Sequence, residues 1–260
     1  MRTTILLGFL IFSGSISQLH AQDLAAYEKR VFKQGKYTMP YRILFPDNYD
    51  QDKTYPLLLF LHGSGERGQD NEAQLIHGAK LFPQKEVREK FPAIVVFPQC
   101  PKESFWSNQD RAGDKIYRFN FHKKGKPTLA MATVQKLLKN LRRTLSVDKD
   151  RIYVGGLSMG GMGTFEIVRR NPKTFAAAFP ICGGANPEIA PMLTKVNWWV
   201  FHGEADNTVN YSYSQKMVDA LKDEGGKVKF SLYPGVGHNS WDNAFAEPEL
   251  LPWLFANVKK

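Results

Sequence analysis

The chain has 260 residues, 43% of them hydrophobic and 23% charged. These are the proportions of a globular protein long enough for one α/β domain with a buried sheet, and they exclude a disordered or fibrous chain. The formal net charge of +10 brings nucleic-acid binding into consideration. However, the cations are dispersed into short clusters at Lys123–Lys126, Lys139 with Arg142-Arg143, Arg169-Arg170 and Lys259-Lys260. No nucleic-acid-binding motif accompanies them, so no nucleic-acid partner is expected.

At the N-terminus, Arg2 precedes the apolar run Ile5–Phe12, a small and polar stretch follows at Ser13–Ser17, and Ala21-Gln22 offers a cleavage point. The apolar run is too short to span a bilayer and has the layout of a secretory signal peptide. The expectation is therefore a signal over residues 1–21, a single catalytic domain over 22–260, export to the periplasm or extracellular space, and no stable membrane insertion. The alternative is a buried N-terminal helix. Export permits disulfides, but Cys100 and Cys182 each follow a different strand. If those strands are not neighbours the thiols are too far apart to bridge, so two free, buried cysteines are expected.

Beyond the leader, Tyr27–Gln34 and Tyr37–Phe45 read as strands joined at Gly35-Lys36. Pro56–Leu61 and Ala93–Phe97 are continuous apolar runs of strand length, the pattern of strands covered on both faces. The first ends in the glycine-rich His62–Gly68, and Glu72–Phe82 is helical in pattern, with Pro83 past its end. An irregular segment, Pro101–Pro127, carries Phe105, Trp106, Tyr117, Phe119 and Phe121. Thr128–Leu145 has the strongest helical periodicity. A strand then runs into Ser158, and Met159–Arg170 is helical up to Asn171-Pro172. Strands follow at Phe175–Ile181, Asn197–Phe201 and Lys227–Tyr233. Helices are expected at Tyr211–Asp223 and at Pro248–Val258, the latter open to interruption at Pro252, with a short helix or lid element at Pro187–Thr194. Strands alternating with helices predict a mostly parallel central sheet with helices on both faces.

The stretch Gly156-Leu-Ser158-Met-Gly160 is a G-x-S-x-G pattern lying between a strand and a helix, the context that lifts a serine hydroxyl clear of a sheet. A serine needs a base near neutral pH, and the base needs a carboxylate to fix its tautomer. Functional groups in a parallel sheet gather at the carboxyl ends of strands, and that rule sorts the six histidines. His20 lies in the leader, His77 in a predicted helix and His122 in the irregular segment. His62 and His202 end strands but are followed by glycine and read as residues packed at the sheet rim. His238, in a glycine-rich loop after the last strand, is the expected base. Glu204 and Asp206 both follow the strand ending at Phe201; Asp206 is favoured, the bland alternative being a helix cap. Oxyanion donors are expected from the Met159 N–H and from the Ser64 N–H, with Gly65 second. Trp106, Ser240 and Trp241 are candidates for lining the substrate pocket.

Tyr41–Pro46, Tyr55–Asn71, Pro98–Pro101 with Trp106, Gly156–Gly161, His202–Asp206 and Gly237–Trp241 together resemble the secreted carboxylesterases related to dienelactone hydrolase. That group is described as predicted peptidases or phospholipase/carboxylesterase-like, and is akin to feruloyl and polyhydroxybutyrate esterases. The resemblance runs from about Phe32 to the C-terminus. It implies the α/β-hydrolase fold and a Ser158–His238–Asp206 triad. The combined reading is a secreted serine carboxylesterase needing no metal or cofactor, acting on small-molecule or polysaccharide-linked esters, with acyl or feruloyl esters of plant polysaccharides favoured. The rivals are a serine peptidase with the same triad and a non-catalytic carbohydrate-binding protein on the same fold. Oligomeric state is not legible.

Overall fold

The computed structural model describes residues 24–112 and 118–259. The expected signal, its cleavage point and Tyr117 lie outside the described residues. Ten strands are described: β1 (Glu28–Gln34), β2 (Tyr37–Leu44), β3 (Tyr55–Leu61), β4 (Ile94–Pro98), β5 (Gln109–Ala112), β6 (Arg118–Phe121), β7 (Val147–Leu157), β8 (Ala177–Ile181), β9 (Asn197–Gly203) and β10 (Val228–Tyr233). The helices are α1 (Lys85–Lys90), α2 (Leu129–Thr144), α3 (Met159–Arg170), α4 (Ser212–Asp223), α5 (Trp241–Ala246) and α6 (Leu250–Ala256).

Eight strands form one sheet in the order β1-β2-β4-β3-β7-β8-β9-β10. The β1–β2 hairpin is antiparallel and joins β4 antiparallel, and from β4 to β10 every pairing is parallel. The period-two alternation of a strand explains why Pro56–Leu61 is apolar throughout. Leu57, Leu59 and Leu61 enter the core layer containing Met131, Val134 and Phe165 of α2 and α3, while Leu58 and Phe60 enter the opposite layer with Phe97, Phe179 and Leu254. All five are fully buried, each such side chain contributing about 1.5–3 kcal/mol. The amphipathic α2 begins where Thr128 Oγ1 accepts the Met131 N–H at 3.1 Å, and its buried stripe is Ala130, Met131, Val134, Leu137, Leu138 and Leu141.

The helix expected over Glu72–Phe82 is absent; only a three-residue 3₁₀ turn forms, at Ala73–Leu75. The backbone there is held by side chains in place of an i→i−4 ladder. Asp70 Oδ1 caps the Glu72 and Ala73 amides, Arg42 Nε donates to the Asn71 carbonyl and Tyr27 Oη to the Ala79 carbonyl. Gly78 at φ 79° then turns the chain into the left-handed region. The segment expected to be irregular contains the β5–β6 hairpin, and α1 and α5 are short helices without a side-chain cap. Helix α6 runs through Pro252, the third residue of its first turn, where no intrahelical N–H bond is required. Cys100 and Cys182 are free and buried. They follow β4 and β8, which are three strand steps apart, about 14 Å.

Candidate active site

Ser158 sits between β7 and α3 with φ 52° and ψ −116°, a strained conformation for a residue with a Cβ. It is held there by its N–H on the Ile181 carbonyl at 2.9 Å and its own carbonyl accepting the Met162 N–H at 3.0 Å. The flanking glycines are required by contact: a Cβ on Gly156 would overlap the Gly160 carbonyl, and one on Gly160 would overlap the Leu61 carbonyl. The helix therefore lies directly against the end of β3, which places the serine hydroxyl at the carboxyl edge of the sheet.

His238, in the loop after β10, presents Nε2 to Ser158 Oγ at 2.9 Å and Nδ1 to Asp206 Oδ2 at 2.7 Å. Asp206 lies in the turn after β9, 2% exposed. Its Oδ1 accepts the Thr208 and Val209 amides at 2.8 and 2.9 Å. Burial alone would favour the neutral acid, but hydrogen bonds from His202, His238 and the Val209 amide outweigh it and hold the carboxyl well below the ordinary aspartate range. The bare carboxylate fixes an Nδ1–H tautomer on His238, leaving Nε2 to receive the Ser158 proton. Glu204 is exposed and its carboxylate accepts the Gly235 amide at 3.4 Å, so Asp206 is the carboxylate that meets the imidazole.

The Met159 amide opens α3 beside Ser158, and Ser64 lies in the loop after β3. Both residues line one cavity of about 440 Å³ with Ser158. Neither amide donates to another group among the described residues. Arg67 braces the Ser64 loop, donating to the Ser64 carbonyl at 3.0 Å and the Lys102 carbonyl at 2.9 Å while its guanidinium lies 4.7 Å from the Phe105 ring centroid. The remaining cavity walls are Phe105, Met162, Thr208 and Val209, with Gln109, Asp110, Arg111 and Phe119 from the β5–β6 hairpin. None of these wall residues was expected by number. The aromatic richness of 101–127 was the available signal, but it did not say which rings face the serine.

The structure corrects the expected pocket residues. Trp106 is fully buried: its Nε1 donates to the His62 carbonyl at 3.1 Å and its ring packs on His62 and under Gly163. Ser240 is also fully buried and faces the Cys182 thiol. Trp241 lies beside His238, its ring centroid 5.5 Å from that of His238 and 4.9 Å from that of His77, and is not among the residues lining that cavity. His77 lies outside any helix. Cys182 Sγ lies within 4.8 Å of the nearest Asp206 and His238 ligand atoms. Burial pushes this thiol well above its ordinary range, and the other two groups are committed to each other, so the trio is not arranged as a metal centre. His62 is structural, as its place at the sheet rim suggested. His202, placed there too, instead touches the carboxylate that meets His238: its Nε2 is 3.2 Å from Asp206 Oδ2.

A mostly parallel eight-stranded sheet carrying a serine on the β7–α3 turn and its partners after β9 and β10 defines an α/β-hydrolase. The chain belongs to the phospholipase/carboxylesterase family, whose sequence profile matches residues 48–248. It is 29% identical to acyl-protein thioesterase 1 of Neurospora crassa over 70% of this chain and 80% of that protein. It is 26% identical to the Arabidopsis thaliana carboxylesterase SOBER1 over 70% and 82% of the two chains. Among solved structures, a thermostable esterase superposes with a TM-score of 0.83 at 33% identity, covering 92% of this chain and 64% of that one. The chain is accordingly a serine hydrolase of the esterase and thioesterase type.

Proposed function

We propose that the protein is an exported serine carboxylesterase in which Ser158, His238 and Asp206 are the catalytic triad. The observation that carries this is the unbroken chain Ser158 Oγ–His238 Nε2 at 2.9 Å and His238 Nδ1–Asp206 Oδ2 at 2.7 Å, opening on a cavity that the serine itself lines. Ser158 Oγ attacks the ester carbonyl as His238 Nε2 takes its proton. The developing oxyanion accepts the Met159 and Ser64 amides, which donate to no other group among the described residues and so need not be freed for the step. The alcohol departs with the proton from His238. Water, deprotonated by the same nitrogen, then attacks the acyl-enzyme and frees the acid and the serine. No step requires a metal or cofactor.

Phe105, Phe119, Met159 and Met162 on the cavity wall suit a flat aromatic acyl group. This favours feruloyl-type esters of plant polysaccharides. The leader at residues 1–21 would bring the enzyme to such a polymer outside the cell. Acyl thioesters are the second reading, favoured by the acyl-protein thioesterase relative. The test is a panel of acetyl, feruloyl, long-chain acyl, thioester and peptide substrates, each with Ser158→Ala. Feruloyl ester turnover is expected to lead the panel, with Ser158→Ala reducing kcat by at least about 10³-fold. Ser158→Ala activity equal to wild type would overturn the nucleophile, and turnover led by the thioester or the peptide would overturn the substrate class.

A further inference from the structure

Histidines that end buried strands commonly satisfy nearby backbone groups and do nothing else. His202 has a different set of neighbours. It is the last residue but one of β9, with its side chain fully buried. Its Nε2 meets two groups, the Val209 carbonyl at 2.8 Å and Asp206 Oδ2 at 3.2 Å. Both are acceptors, so Nε2 carries a proton. Its Nδ1 meets Ser214 Oγ at 2.7 Å, and Ser214 Oγ also reaches the Gly183 carbonyl at 3.0 Å. The serine has one proton for these two neighbours. If it donates to Gly183, His202 donates from Nδ1 as well; if it donates to Nδ1, the ring is neutral. Under either arrangement the Nε2–H toward Asp206 stays in place.

We propose that His202 is a positioning residue for the triad, a permanent donor on the same carboxylate oxygen that receives His238. Resting on the triad assignment above, the role has two parts. Asp206 Oδ1 is pinned by the Thr208 and Val209 amides, and His202 bridges Oδ2 to the Val209 carbonyl, so the carboxylate is fixed at both oxygens within one closed turn. By sharing Oδ2, His202 also draws part of the carboxylate's negative charge away from the hydrogen bond to His238, so removing its donor is expected to strengthen that bond. The titratable groups around this shell are Asp206, His238 and the Cys182 thiol from the loop after β8. The thiol stays neutral because burial raises its pKa. Helix α4 contributes the uncharged Ser214.

The deciding comparison is His202→Leu against His202→Gln. The Gln amide nitrogen reaches the place of Nε2 and keeps a donor on Asp206. In His202→Leu the acid limb of the kcat/KM profile should move to higher pH by roughly 0.5–1 unit, and plateau kcat should fall about tenfold with KM within twofold. His202→Gln should recover the wild-type profile. An unmoved limb in His202→Leu, or an equal shift in both variants, overturns the proposal. Proton NMR of the wild-type protein with ¹⁵N-labelled histidine keeps the test decisive if His202→Leu does not fold. It should show a downfield, exchange-protected Nε2–H assigned to His202 alongside the Nδ1–H of His238, whereas an unprotonated His202 Nε2 overturns the proposal by itself. Asp206→Asn separates the two claims. Full activity in that variant would remove the triad reading, whereas an inactive Asp206→Asn with null His202 results would remove only this one.

Discussion

His62 is the first residue beyond β3 and His202 the last but one of β9, similar places at the carboxyl ends of parallel strands, and their surroundings differ. His62 is 2% exposed. Its Nε2 accepts the Cys100 amide at 2.9 Å, and Nδ1 lies 2.6 Å from the Gly63 carbonyl, so the ring is a neutral Nδ1–H tautomer with no room for a second proton. Burial pushes its pKa down to about 4, despite the opposing bond to Gly63. Since the folded value is below the unfolded one, the unfolded chain binds the extra proton between these two values. Stability therefore falls as the pH falls through that window and levels off once both states are protonated. Between pH 7 and pH 5 this group alone should remove roughly 2 kcal/mol. Urea denaturation at the two pH values checks it: His62→Gln should be less stable at pH 7 and should show a flatter pH dependence than wild type.

Among the elements, α3 carries the most constraint. Its first turn is pressed against β3 through Gly160, and its last turn holds a buried ion cluster. Glu166 receives Arg169 through Nε at 3.0 Å and Nη2 at 2.7 Å, and Arg170 through Nε at 2.7 Å. Arg169 also donates to the Lys123 carbonyl at 3.0 Å and Arg170 to the Gly125 carbonyl at 3.1 Å. The helix behind Ser158 is thereby tied to the segment that follows β6. Removing Glu166 leaves two guanidinium groups inside with no counter-charge, so Glu166→Ala should lose about 3–5 kcal/mol in chemical denaturation. A loss below about 1 kcal/mol would mean that water reaches the cluster.

For the whole molecule, the described residues place every proposed triad and oxyanion group on loops or at the first turn of α3 at one edge of a single sheet, and none of these groups comes from before β3. A protein beginning at Gln22 should therefore keep the kcat/KM of the full chain. Full-length protein expressed in a secreting bacterial host should be recovered outside the cytoplasm with its new N-terminus at Gln22, as read by intact mass. Recovery of the uncut chain from the cytoplasm would contradict the export proposal. No helix of the described residues is long and apolar enough to cross a membrane.

The parts legible from sequence were those governed by local physics. The unbroken apolar run of Leu57–Leu61, the amphipathic stripe of α2 and the glycine spacing around Ser158 are properties of short stretches, and they pointed to the parallel sheet, its helices and the turn that carries Ser158. The order Ser158, Asp206, His238 followed from one further rule, that strand ends converge at one edge of a parallel sheet. Local pattern misled where distant side chains took over the backbone, as Tyr27 and Arg42 do within and just before the expected helix at Glu72–Phe82. It also could not sort the aromatics of 101–127. Trp106 and Phe105 are adjacent in the chain, yet one is sealed beneath Gly163 and the other walls the cavity. Only the folded chain could give His202 its place. Nothing in the run from His202 to Asp206 says that the imidazole turns under the sheet edge to meet the carboxylate, because that depends on Ser214 of α4 and Gly183 after β8, brought together by packing across three elements.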